Sequence, residues 1–474
     1  MIFPYLSILI PIIAGVLVLL LKELKRNIKL AAVMLSITAA LACVITAALN
    51  ESVSADLLSF SEALSISFKS GGISSLFSFV TNLLWLIVMI YSIGYMKHEE
   101  NENIFYGFML ITLGVMNALY FSDNLLTMYL CFELATLASM PLVLSSLSKE
   151  SIAAAQKYLF YSIGGAFLAL FGVIVFYSRA GGAVSFSAER GIFSGEQDGL
   201  MLVAMFLMIV GFGTKAGMYP MHGWLPSAHP VAPSPASALL SGLIAEAGIF
   251  AVICVSSLYE YKGTWVQYAW LALALLTVFL GSMMAYREKH IKKRLAYSTV
   301  SQVSYIMVGL ACGTAFSAYG AIFHYIFHAI IKIALFMAAG SIIMKTGKTN
   351  VDELEGIGKD MPVTMWSYTL ASLGLIGIPP ACGFFSKYYL CLGALENLSL
   401  PPFLRYLIPA TLIVSALLTA GYLLPLTVKG FFPSREYVPV KRETSAVMYV
   451  PLLILGILTF AASLLVENLN LFIF

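Results

Sequence analysis

Residues 315–344 read AFSAYGAIFHYIFHAIIKIALFMAAGSIIM, a thirty-residue run with no acidic side chain. A helix needs about 20 largely apolar residues to cross the hydrocarbon core of a bilayer, and this stretch exceeds that length. Comparable runs lie at 4–21, 29–49, 72–96, 104–121, 124–147, 155–178, 200–219, 234–258, 265–286, 295–313, 363–392, 403–430 and 446–466. Over all 474 residues, 60% are hydrophobic and 11% charged, with a mean hydropathy of +0.90, whereas soluble domains carry about 25% charged residues. The expected fold is therefore all-α and integral to a membrane, with about 14 transmembrane helices in one continuous domain over residues 1–474.

The first run has no basic residue before it, and Lys22, Lys25, Arg26 and Lys29 follow it. It reads as a retained helix with its N-terminus outside. The connections 22–29, 97–103, 148–157, 287–294, 345–359 and 429–442 hold nineteen of the twenty-seven Lys and Arg residues. The alternate loops hold Lys69, Arg179, Arg190, Lys262 and Arg405. Basic residues accumulate on the cytoplasmic side, so both termini are expected outside. The net charge of +3 follows from this topology and gives no support to nucleic-acid binding. All six cysteines sit in apolar runs at spacings unsuited to zinc or an iron–sulfur cluster. No phosphate loop, haem signature or quinone-specific motif is present, so neither a redox cofactor nor a metal is expected in this chain.

Prolines interrupt two spans. Pro220, Pro226, Pro230, Pro233 and Pro235 crowd the stretch after the seventh, and Pro379-Pro380 cut the twelfth. Proline removes a helix hydrogen bond and clashes with the preceding turn, so both spans should be broken helices. Non-helical backbone survives at membrane depth only where protein buries it or a hydrated cavity passes it, and paired breaks point to an inverted-repeat transporter. An internal match agrees: at an offset of 167, KYLFYSIGGAFL from Lys157 aligns with HYIFHAIIKIAL from His324 at Tyr158/Tyr325, Phe160/Phe327, Ile163/Ile330 and Leu168/Leu335.

Seven ionisable residues fall inside the runs: Glu133, Lys215, Glu246, His324, His328, Lys332 and Lys387. A charge at the bilayer centre costs about 2.5–3.5 kcal/mol on insertion scales. Taken alone, each lysine or glutamate has a structural ion pair, and each histidine a satisfied core position, as its competing reading. Seven spread over spans 5, 7, 8, 11 and 12 instead point to a hydrophilic axis across the bundle. His324, His328 and Lys332 stand at i, i+4 and i+8, on one helix face about 6 Å apart in succession, a spacing suited to water-bridged proton hopping. A zinc site is the competing reading of the two histidines, but no carboxylate or cysteine shares that face. Glu133 and Lys215 form a candidate switch, since opposite charges about 4 Å apart interact by about 4 kcal/mol at an effective dielectric of 20. Asp123, following Ser122 at a helix start, reads as a cap.

The motifs CFELAT (131–136), AAAQKYLFYSIGG (153–165) and GFGTKAGMYPMHGWLPSAHPVAPSPASALLSG (211–242) resemble the antiporter-like membrane subunits shared by respiratory complex I, Mrp-type sodium/proton antiporters and membrane-bound hydrogenases. KKRLAYSTVSQVSY (292–305), HYIFHAIIKIALF (324–336), DELEGIGKDMP (352–362) and GIPPACGFFSK (377–387) continue the resemblance in the same order, over roughly residues 105–430. The resemblance implies two inverted five-helix repeats, 104–258 (spans 4–8) and 265–430 (spans 9–13). It implies that Glu133 is the span 5 glutamate modulating Lys215 of span 7, that His324, His328 and Lys332 are the span 11 relay, and that Lys387 is the terminal ionisable group on broken span 12.

With its last run ending at 466, the chain resembles the complex I M and N subunits and the Mrp D subunit. Lys387, where the M subunit carries glutamate, leans away from M, and AGYLLPLTVKGFF (420–432) leans toward the Mrp and hydrogenase branch. One position departs: the family usually has lysine in span 8, and SGLIAEAGIF (241–250) places Glu246 there. A carboxylate there is expected to pair with one of the neighbouring lysines, and it makes Na+ a second candidate ion beside H+. What the resemblance implies overall is a non-redox, proton-translocating subunit working with other membrane subunits in a prokaryotic cell membrane. A stand-alone secondary transporter and a scaffold subunit without pumping are the rivals.

Overall fold

The computed structural model describes residues 2–21, 23–50, 54–61, 64–186, 193 and 198–466. Lys22, Ser187 and Arg190, the first and last of which entered the charge count above, lie outside the described residues. The helices are α1 (Ile2–Leu20), α2 (Arg26–Leu49), α3 (Gly72–Tyr95), α4 (Glu102–Tyr120), α5 (Leu125–Leu144), α6 (Lys149–Ala180), α7 (Gly199–Lys215), α8 (Leu225–Val231), α9 (Ser234–Leu239), α10 (Ala247–Ser256), α11 (Trp265–Arg287), α12 (Ile291–Cys312), α13 (Ala315–Thr346), α14 (Ile357–Asp360), α15 (Pro362–Ile376), α16 (Cys382–Glu396), α17 (Pro402–Phe431) and α18 (Ala446–Ala461). Among the described residues twelve helical spans are long and apolar enough to cross a membrane, the α9–α10 stretch counting as one. The 17-residue α7 is shorter, and the twelfth run is divided into α15 and α16 of 15 residues each.

The run that opened the sequence reading becomes α13, the axis of the bundle. It is buried along nearly its whole length and packs against α3, α9, α12, α15, α16 and α18. By contrast α1, α17 and α18 turn most of their apolar surface outward, as lipid-facing helices do. The polar connection 50–70 holds a feature the sequence reading did not anticipate: an antiparallel hairpin of β1 (Ser54–Ser59) and β2 (Ser65–Lys69). The cap at the start of α5 is also reassigned. Asn124 is the N-cap, its side chain accepting from the Thr127 amide at 2.7 Å, because the helix begins one residue later than Asp123 requires. On the basic-loop side Asp352 lies 3.2 Å from both Lys289 and Lys429, and its hydrogen bonds to these ammonium groups hold its carboxyl below the usual carboxylate range.

Both proline-marked breaks are present, and each leaves carbonyls to be satisfied. After α7 the chain turns out of helix, and the Trp224 indole donates to Thr214 O at 3.0 Å. Between α15 and α16 the chain turns at Gly377, whose φ of +91° is a conformation side chains resist. The amides of Gly377 and Ile378 both reach Leu373 O. This leaves the carbonyls of Leu375 and Ile376 facing the bundle interior at the C-terminal, partially negative end of α15.

Candidate functional site in the bundle core

Lys387 fills that end. Its Nζ donates to Leu375 O at 2.5 Å and Ile376 O at 2.9 Å and stands 5.2 Å from the Tyr305 ring centroid. A cation at a helix C-terminus is favoured both by the dipole and by the orphan carbonyls. The residue before it, Ser386, lies 2.9 Å from His324 Nδ1, and the His324 ring stacks on Tyr305 at 5.3 Å. One turn along α13, the His328 ring is 6.3 Å from that of His324, as the i, i+4 spacing requires.

The three polar residues of α13 reach three different neighbours. His324 meets α16. His328 Nδ1 lies 2.6 Å from Glu246 Oε1, both side chains wholly buried. Lys332 turns to α12, donating to Leu295 O at 2.9 Å and to the Ser298 hydroxyl. Glu246 therefore pairs with a histidine, not with a lysine as expected. The cause is local: Leu240–Ile244 form a π-helical stretch, the Ala245 amide bonding Leu240 O, and this widened turn sets Glu246 opposite His328. Single π turns recur at functional sites.

At the other end, Lys215 closes α7 fully buried. Its Nζ donates to Thr136 Oγ1 at 2.8 Å and Phe132 O at 3.2 Å, 4.6 Å from the Phe132 ring centroid. Glu133 and Lys215, the candidate switch pair, make no ion pair within 4.0 Å and act on each other through space. Glu133 is one residue past Phe132, about 100° further round α5, and is half-exposed. Its Oε1 is nevertheless buried without a hydrogen-bond partner. The start of α10 packs closely on the end of α7 at Gly248, where an added methyl would lie 3.3 Å from Lys215 Cβ and 2.9 Å from the Ala216 amide. Only a glycine lets α10 approach α7 that closely.

The site contains residues that the sequence reading passed over. His229 is fully buried, stacks on Phe336 at 4.6 Å and has no hydrogen-bond partner at either ring nitrogen. Its signal was present in the proline-rich stretch 220–235, read for its prolines and its family resemblance but not for the histidine. Gln302, on α12 one turn beyond Ser298, is likewise buried with both amide atoms unpaired. Glu246 Oε2, His324 Nε2 and His328 Nε2 are also unpaired. Each buried polar group without a partner costs roughly 1–3 kcal/mol. Such groups gathered along one axis are what internal water satisfies.

The match to known families follows this axis. The transmembrane region described as NADH:quinone oxidoreductase/Mrp antiporter matches residues 122–401, from α5 through α16. The chain belongs to this family. A second model, the N-terminal region of complex I chain 5, matches residues 59–106. Among curated proteins, the family member is 32% identical to NADH-quinone oxidoreductase subunit N of Desulforudis audaxviator over 78% of this chain and 76% of that one. It is 33% identical to hydrogenase-4 component B of Escherichia coli over 69% of this chain, spanning about half (51%) of that longer protein. It is 26% identical to the Na(+)/H(+) antiporter D subunit of Bacillus subtilis over 94% and 90% of the two chains. Two solved structures share the antiporter-like subunit fold at 22% identity. A chain of an archaeal membrane-bound sulfane sulfur reductase aligns with a TM-score of 0.88 over 99% of this chain and 97% of its own, and one of the Mrp complex from Dietzia with 0.85 over 100% and 96%.

Proposed function

We propose that this antiporter-like subunit translocates protons along the line Glu133, Lys215, Glu246, His328, His324 and Lys387, with Lys332 one turn to the other side of His328, as part of a larger membrane complex. The observation that carries the reading is the Glu246–His328 contact at the centre of that line. It joins α10, the helix packed on α7, to the α13 relay through groups that exchange protons, and it takes the place of a lysine-to-lysine step. Glu133 sets the charge state of Lys215 through space: at twice 4 Å the interaction is still about 2 kcal/mol at an effective dielectric of 20. A movement of α5 against α7 would therefore change the affinity of Lys215 for a proton.

Two inverted repeats, 104–258 and 265–430, fit this arrangement. The helices α6 and α13 both have 32 residues and start 166 positions apart (315 − 149), close to the offset of 167 found in sequence. Counting α7 and the α15–α16 pair as spans gives fourteen, with both termini outside a prokaryotic cell membrane. The relatives' names supply three candidate settings: a cation/proton antiporter, a hydrogenase and an NADH-quinone oxidoreductase. The partners would be the other membrane subunits of that complex, and the ion H+, with Na+ as the second candidate. Purification from the native membrane, identification of co-purifying subunits and proton-flux measurement in vesicles test the reading. Full activity from the isolated chain would favour a stand-alone transporter. Coupled activity that survives neutralisation of both Lys215 and Lys387 would make it a scaffold.

A further inference from the structure

Lys292 counts in sequence as one of the basic-loop charges, yet the structure buries it at 4% exposure. Its Nζ donates to Ala232 O at 2.9 Å, at the end of α8. One turn further along α12, Leu295 O accepts from Lys332 of α13, so two buried lysines, one from α12 and one from α13, meet at neighbouring turns of α12. His229 lies in the field of both, its ring stacked on Phe336, one turn past Lys332 on α13. On the basic-loop side a pocket of about 200 Å³ is lined by His98, Glu99, Glu100, Asn101, Ser145 and Pro233, and Pro233 adjoins the Ala232 carbonyl that holds Lys292.

We propose that this pocket is the mouth of a proton inlet running from Glu99 past Lys292 to His229, which delivers protons to Lys332. The inlet rests on the translocation reading above and adds to it an entrance and three residues outside the line already described. Glu99 is half-buried, and burial raises its carboxyl above the ordinary value despite the opposing field of Lys292 and His98. The groups facing it are Lys292, His98, Glu100 and Tyr95; those facing His229 are Lys332 and Lys292. A neutral imidazole accepts a proton at its bare nitrogen and releases the one on the other, leaving the opposite tautomer. Two unpartnered ring nitrogens leave both positions free for that exchange. Lys292, fixed on a carbonyl, places a positive charge beside the route whenever it is protonated, and that charge favours onward movement of the proton toward Lys332 in its amine form.

The test uses the intact complex in vesicles buffered separately on each side. His229→Phe keeps an aromatic ring on Phe336 and removes both nitrogens. It should cut translocation roughly tenfold or more while the assembled complex is recovered in normal amount. Glu99→Gln should make the rate insensitive to pH on the basic-loop side across the range where the parent responds, leaving the response to the opposite side intact. A His229→Phe complex that translocates at the parental rate, or a Glu99→Gln complex with the parental pH response, overturns the inlet. Should His229→Phe fail to assemble, Glu99→Gln decides alone. Parental vesicles that move no protons would instead overturn the translocation reading, and the inlet with it.

Discussion

Glu246 Oε1 and His328 Nδ1 approach to 2.6 Å with neither side chain reaching solvent, and this contact joins α10 to the relay helix α13. A carboxylate and an imidazole at that distance share a hydrogen bond in every protonation state that leaves one proton between them, and low dielectric strengthens it. Glu246→Gln keeps a hydrogen-bonding group against Nδ1 but cannot exchange a proton. We expect the complex to assemble, translocation to fall and its pH optimum to move. Glu246→Lys should retain partial activity, since an amine also donates to a neutral imidazole. Vesicle assays in which Glu246→Gln preserves both rate and pH profile would make the residue structural, and the path would have to bypass α10.

Lys215 depends on α5 for its position, through Thr136 Oγ1 and Phe132 O. Lys215→Ala and Glu133→Ala should each abolish ion translocation in an assembled complex. Thr136→Val removes one of the two acceptors while leaving the charge, and should lower the rate less. Normal pumping from either alanine variant would exclude the switch.

Lys387 holds two carbonyls at the helix break as well as lying beside Tyr305 and next to Ser386. Lys387→Met should therefore block net transport and also cost stability, on the order of 1–3 kcal/mol for each carbonyl left unsatisfied. Measured together, transport should be lost at temperatures where thermal unfolding shows the variant still folded. Unchanged transport would remove Lys387 from the path.

Orientation is tested independently. Cysteines introduced near Ser187 or Lys262 should react with a membrane-impermeant reagent from outside, and one near Lys289 should not. The opposite pattern would invert the topology and would place the mouth beside Glu99 on the outer face.

The membrane class, the run of spans and both helix breaks follow from chemistry local to the chain. Apolar length and proline act through nearest neighbours and solvent, and sequence displays both. The spacing of His324 and His328 likewise set their ring separation, because helix geometry is local. Partner choice is different. That Glu246 takes His328, that Lys215 takes a backbone carbonyl and a threonine in place of Glu133, and that Lys332 turns to α12 depend on which helix faces meet. The first of these meetings follows a π turn before Glu246, and the approach of α10 to α7 needs the absence of a side chain at Gly248. His229 and Lys292 show the same limit: one looked like part of a proline-rich turn and the other like a loop charge. Only packing of α8 against α12, with Phe336 of α13 over the His229 ring, buries them, and burial is what turns an ordinary polar residue into a costly one that demands a partner or a task.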